Sequence, residues 1–310
     1  MQEDHSEALP RLGEFLKDCV WRPAYWKPIR ALVFEGTYLM IFSIRRLLSH
    51  GLFERRSMRK ILTFFALCGC FFSVACRGED ILVVADEFHA MQVLTSHIQS
   101  DTKLTSRIIG QTELPASLSS YRTVIVYIHG DLQAASEHAF IKYAEDGGKL
   151  ILLHHSISSH KRENKDWFSF LNIALPLGDL AAGGYKYFAP VSFEIVNLAP
   201  GNYVTSHNVH YDKMVPYTDP AGGGEHTLQG SGFSNTEVYL NHKLSGPRTL
   251  LLGIKYRDPA TGVVYMQDTA GWLMDSGKGM VFYFMAGHRA EDFDSTAYSQ
   301  ILSNAVEYRK

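Results

Sequence analysis

Four continuous apolar runs in this chain end in polar residues able to do chemistry. Ile81–Ala85 leads into Asp86, Glu87 and His89, and Thr123–Ile128 leads into His129 and Asp131. Leu150–Leu153 leads into His154 and His155, and Met280–Ala286 leads through Gly287 into His288. Each run is short, unbroken and rich in β-branched or aromatic residues, which predicts a strand buried on both faces. Between them the spacing changes. Residues 90–100 and 136–146 read as helices, the second with Ala139, Phe140, Tyr143 and Ala144 at helical intervals. Gly147-Gly148 ends that helix, because glycine accepts the left-handed conformation of a helix C-terminus. A short strand at Ile108-Ile109 and a closing helix from Thr296 to Tyr308 complete the pattern.

Buried strands alternating with helices through tight connections imply a parallel, doubly wound sheet. Ligands bind beyond the carboxyl ends of such strands. If the four strands are neighbours, their polar ends therefore share one rim. From about Leu175 to Pro259 the texture differs: glycine, proline and polar residues rise, and alternation, as in Val191–Val196, replaces continuous runs. Val238–Leu240 and Leu250–Ile254 read as further strands, and Tyr203–Gly232 as a long loop.

The chain has 310 residues, 46% of them hydrophobic, enough for a sizeable core. A formal net charge of −2 argues for no nucleic-acid partner. All 4 cysteines, Cys19, Cys68, Cys70 and Cys76, precede Arg77. A thiol nucleophile, a disulfide framework and a thiolate metal site are thereby excluded from the remainder. Met58–Cys76 has a basic start, an apolar middle and a small-x-small end at Ser73-Val-Ala75, the pattern of a secretory signal. The expected organisation is an N-terminal extension over 1–57 with Met58 as the true start, a signal over 58–76 and one domain over 77–310. An exported protein follows, periplasmic or extracellular, meeting a membrane only through its N-terminal segment. The alternative is anchoring by residues 58–76 or by a lipidated Cys70 or Cys76.

Imidazole titrates near neutrality and suits acid–base work. His288 follows a glycine that permits close approach of a ligand, with Glu291 in the turn beyond. His154 and His155 are adjacent, and successive strand side chains point to opposite faces, so one of them, preferably His155, is expected to reach the site. Glu237 and Tyr239 flank Val238 and share one strand face. Asp86, Glu87, His89 and His129 stand at strand ends as hydroxyl-binding candidates, with helix capping by Asp86 and Asp131 as the plainer reading. No His-x-His or His-Glu-x-x-His pair links these residues, so no cofactor is expected and no metal ligand is assigned, a divalent metal being the open alternative. A nucleophile elbow, a Walker loop and a dinucleotide fingerprint are all missing.

Gly147-Gly-Lys-Leu-Ile-Leu-Leu-His-His-Ser156 with Trp167, and Gly277-Lys-Gly-Met-Val-Phe-Tyr-Phe-Met-Ala-Gly-His288 with Glu291-Asp-Phe293, resemble the signatures of the ThuA-like (trehalose utilisation) domain. Glu225-His-Thr-Leu-Gln-Gly230 and Thr236-Glu-Val-Tyr239 are similar to the family's middle segment, with Thr227 in place of proline and Thr236 in place of aspartate. The resemblance implies a flavodoxin-like, class I glutamine amidotransferase-like three-layer sandwich: α/β, with a mostly parallel sheet and a loop-rich β insertion. Amidotransferase chemistry is excluded, since His154-His155-Ser156 occupies the turn where those enzymes carry cysteine. The implied role is in carbohydrate metabolism on a disaccharide or oxidised (keto) sugar, as an isomerase, lyase or hydrolase. His288, His155, His154 and Glu237 are then the catalytic candidates. Asp86, Glu87, His89, His129, Tyr239, His226 and Glu291 are the sugar-binding ones. A non-catalytic sugar-binding or envelope scaffold is the alternative, and a homo-oligomer is allowed.

Overall fold

The computed structural model describes residues 79–310. The extension, the signal segment and the lipidation candidates Cys70 and Cys76 lie outside the described residues. Among the described residues no helix is long and apolar enough to cross a membrane.

The apolar runs are strands. β1 (Ile81–Ala85), α1 (Phe88–Thr102), β2 (Ser106–Ile109), β3 (Thr123–Tyr127), α2 (Ala134–Glu145) and β4 (Lys149–Leu153) follow in order. β1, β3 and β4 are buried at every position, which is why they carry no polar alternation. Gly147, at φ 121°, turns the chain from α2 into β4. Next come α3 (Trp167–Leu171), β5 (Ile173–Ala174), β6 (Lys186–Asn197), α4 (Tyr203–Ser206), β7 (Lys213–Thr218) and β8 (Glu225–Leu240). β9 (Lys243–Leu244), β10 (Thr249–Arg257), β11 (Val264–Ser276), β12 (Gly279–Phe284) and α5 (Thr296–Glu307) complete the chain. The helix caps differ from the plain reading: α1 starts after Glu87 and α2 after Gln133, so neither Asp86 nor Asp131 is a cap.

Ten strands form one sheet in the order β2-β1-β3-β4-β12-β11-β10-β6-β8-β7, and β5 pairs with β9 separately. The pairings from β2 to β12 are parallel. Those from β12 to β7 are antiparallel. The expectation of a mostly parallel sheet is therefore corrected: the protein is mixed α/β with a large, mostly antiparallel sheet. The physical reason lies in the connections. Parallel neighbours need a long crossover, whereas tight turns join antiparallel ones, and the turn at Gly277-Lys278 reverses β11 into β12. The stretch expected to be a loop-rich insertion is instead structural. β7 pairs with β8 along Lys213–Thr218 and is the edge strand of the sheet.

This topology decides where chemistry can gather. β1, β3, β4 and β12 run the same way, so their carboxyl ends share one rim. From β12 to β8 the direction reverses at each of the pairings through β11, β10 and β6, and the even number of reversals points β8 the same way as β12. Its C-terminal end, with Glu237, therefore reaches the same rim. Register shifts between Phe188 and Phe193 bend β6 and β8 there. The core runs through both halves of the sheet, from Val83 and Ile125 to Ile254 and Trp272.

Candidate metal centre

β4 stops at Leu153 and the chain enters a 3-10 turn over His154–Ile157. His154 takes φ 40°, a left-handed conformation uncommon for a non-glycine residue. This turn breaks strand alternation, so His154 and His155 reach the same site, their rings edge to face at 4.2 Å. The expectation that only one would do so is corrected on that ground. His288 arrives from β12 through Gly287, at φ 102°, where an added Cβ would lie 2.6 Å from the Phe293 ring. Glycine thus lets the chain fold close over Phe293 and present the imidazole.

His154, His155, Glu237 and His288 offer ligand-type atoms that all lie within 4.8 Å of one another. Glu237 Oε2 is the hub. It lies 2.9 Å from His154 Nε2, 3.5 Å from His155 Nε2 and 3.5 Å from His288 Nδ1. His155 Nε2 and His288 Nδ1 are 3.2 Å apart. A tetrahedral ion with metal–nitrogen bonds of about 2.0–2.1 Å holds its ligand atoms about 3.3–3.4 Å from each other, so the spacing suits one. The His154 side chain is fully buried and that of His288 is 27% exposed, which leaves the mouth on the His288 side.

The protonation pattern points the same way. His154 Nδ1 donates to the Met285 carbonyl, which aims Nε2 at the cluster; with an ion bound, that nitrogen would present its lone pair, the usual arrangement of a metal-ligating histidine. Burial, with His154 adding to it, pushes His155 and His288 below the ordinary imidazole range. Burial would raise Glu237, but the close approach of His154 and His155 outweighs it and keeps the carboxyl below its usual range. An ionised carboxylate beside His155 and His288, both held from protonation by burial, is a donor set for a divalent cation.

The other sequence candidates separate into those near the centre and those away from it. Tyr239 stacks on His154 at 4.6 Å and is only 2% exposed. It is the floor of the site, not a contact for a sugar. His129 lies flat on His155, ring centroids 3.9 Å apart and planes 23° apart. Its Nδ1 is 3.5 Å from Glu87 Oε1, and both side chains are about half exposed at the mouth. Asp86 does not face the cluster: its carboxylate accepts the backbone N–H groups of His129 and Gly130 at 2.7 and 2.8 Å. His89 is exposed on the first turn of α1 and joins none of the cluster's ring or ion-pair contacts among the described residues. His226 bonds the Gly223 carbonyl near the exposed start of β8; along an extended strand its separation from Glu237 is on the order of 35 Å, which removes it from the site. Glu291 is taken up by Arg289 at 2.9 Å.

Sequence reasoning missed Tyr127 and Lys161. Tyr127 ends an apolar strand and reads as core, but its hydroxyl donates to Glu87 at 3.3 Å and to the His288 carbonyl at 3.0 Å. Lys161 stands in a polar stretch with no periodic signal, and it is 1% exposed.

Among solved structures the chain is similar to a ThuA-like protein from Bacteroides uniformis, with a TM-score of 0.51 and 16% identity over 76% of this chain and 91% of that one. A cytoplasmic protein from Salmonella typhimurium gives 0.46 and 13%, over 73% of this chain and 98% of that one. A cold-adapted β-galactosidase from Rahnella sp. R3 gives 0.46 and 12%, over 82% of this chain and 35% of that one. No family model matches the chain, and neither does any curated protein sequence. The likeness is one of architecture: the chain shares its fold with a ThuA-like protein.

Proposed function

We propose that this protein is a metal-dependent enzyme acting on a small carbohydrate, its divalent ion held by His154, His155, His288 and Glu237. One observation carries the reading. Imidazole nitrogens from separate strand ends crowd a single carboxylate oxygen, and the His154 ring is held facing it by the hydrogen bond to the Met285 carbonyl. Burial opposes the protonation that would relieve this crowding, and a divalent cation relieves it for all members at once. Zinc and manganese match the nitrogen and oxygen donors, and either ion supplies Lewis acidity toward a carbonyl or hydroxyl oxygen.

The chain's own residues do the rest. Glu87 and His129 at the mouth hold sugar hydroxyls by charge-assisted hydrogen bonds, and the half-exposed His129 ring can carry a proton. With no thiol among residues 79–310 and no elbow serine there, proton transfer beside a carbonyl of an oxidised sugar suits the site, and hydrolysis is the companion reaction. The ThuA-like fold supports a carbohydrate substrate, and export through residues 58–76 belongs to the same reading. The test strips the full chain with a chelator, reloads zinc, manganese or cobalt, and measures stoichiometry by elemental mass spectrometry. Turnover of disaccharides and their keto forms follows. One ion per chain and metal-dependent turnover are expected, both lost in E237Q and H154A. Failure to take up any ion, or turnover unchanged by E237Q, overturns the proposal.

A further inference from the structure

The imidazoles of the centre are not held alike. His154 is oriented by the hydrogen bond from Nδ1 to Met285, as metal-ligating histidines commonly are. His155 has no such partner, for its Nδ1 is buried and without a hydrogen bond. On that side of the ring, packing takes the place of the missing hydrogen bond, while Nε2 faces His288 and Glu237. His154 and Tyr127 meet it at steep angles, and His129 alone among its ring neighbours stacks face to face, at 3.9 Å.

What holds His129 is a clamp on its backbone. The Lys161 ammonium donates to three successive carbonyls, Ile128 at 2.7 Å, His129 at 3.0 Å and Gly130 at 2.7 Å. An ammonium has three donors, and each finds an acceptor. From the other side Asp86 accepts the N–H groups of His129 and Gly130. The turn after β3 is thus tied at its carbonyls by one buried cation and at its amides by one carboxylate. Lys161 lies in the 3-10 turn Ser159–Lys161, soon after the turn that carries His155. The same stretch of chain supplies the imidazole and the clamp that fixes its stacking partner.

We propose that Lys161 and Asp86 are positioning residues that pin the Ile128–Gly130 turn, so that the stacked His129 ring fixes the orientation of His155 in the centre. The proposal rests on the reading of His155 as a ligand, and its test separates the two. Cobalt(II) affinity of the full chain is measured by chelator competition for wild type, H129A, H129F, K161M, D86A and the H129A/K161M double variant. H129A and K161M each weaken cobalt by about 10–100-fold, the usual effect of losing an outer support of a ligand. H129F, which keeps a stacked ring, retains affinity. D86A weakens binding in the same direction, and the double variant is no weaker than H129A, because both changes remove one interaction. In the metal-free protein, the His155 ring resonances of ¹³C-histidine-labelled K161M and D86A move toward those of H129A.

Wild-type affinity in a folded K161M and in D86A, or losses that multiply in the double variant, overturns the clamp. Should K161M fail to fold, D86A decides, since Asp86 is exposed. If wild type binds no cobalt, the metal reading falls, while the His155 resonances of D86A still accept or reject the clamp.

Discussion

At the residue scale, the centre depends on backbone conformations that ordinary side chains resist. Gly287 is the sharper case. Its φ of 102° and the Phe293 ring 2.6 Å from a would-be Cβ both oppose a side chain. G287A is expected to cost about 1–3 kcal/mol from backbone strain and to displace His288, so denaturant unfolding and cobalt affinity both change. G147A is the control. Its φ of 121° is equally unfavourable, but its Cβ would meet only Lys278 at 3.8 Å. That variant should lose stability and keep cobalt affinity. His288 was legible in the sequence because a glycine precedes it at the end of an apolar run. The joint arrival of His154 and His155 was not. Strand alternation forbids it, and only the 3-10 turn beginning at His154 allows it.

At the element scale, β4 is tied at its two ends to different parts of the molecule. Its last residue leads into the histidine turn. Its first, Lys149, sends its ammonium to the carbonyls of Ala305, Val306 and Tyr308 at the end of α5, at 3.0, 2.6 and 2.6 Å. Burial, aided by nearby Arg122, pushes Lys149 down to about 7, against about 10.4 for an unfolded lysine. Between those values the unfolded chain binds the extra proton, so folding stability rises with pH. Below about 7 both states carry the charge and the penalty of burying it is constant. Urea unfolding from pH 7 to 10 should show this rise in wild type and a flatter profile in K149M. A wild-type profile that falls over the same interval would contradict the assignment. The buried strands and main helices were legible because their periodicity is local. The direction of β6 to β11 was not, since pairing depends on connections and partners that periodicity does not record.

At the scale of the whole molecule, the centre joins the two halves of the sheet. His154, His155 and His288 come from the parallel half, and Glu237 comes from β8 beyond the antiparallel strands. An ion bound there holds the folded state alone, since the unfolded chain scatters these ligands. At a free zinc concentration a thousandfold above Kd the stabilisation is about 4 kcal/mol, or about 8–16 °C in thermal midpoint for a domain of this size. Calorimetry should show a midpoint that climbs with zinc in wild type and stays level in E237Q, and that falls back on adding chelator. An equal response in both proteins would place the ion elsewhere.

The sequence by itself determined the buried strands, the cysteine-free body and the polar residues at strand ends, because burial and composition are written residue by residue. Those facts named His154, His155 and His288, and strand alternation with the family resemblance named Glu237. Only the tertiary structure decided that they meet. Their contact depends on crossover topology, on an even number of strand reversals from β12 to β8, and on a left-handed turn at His154. It likewise separated Glu87 and His129 at the mouth from His226 at the far end of a long strand. The His154-His155 pair, Glu237 and His288 lie too far apart in sequence for any spacing rule to join them, and they become neighbours only through pairings made across the folded sheet.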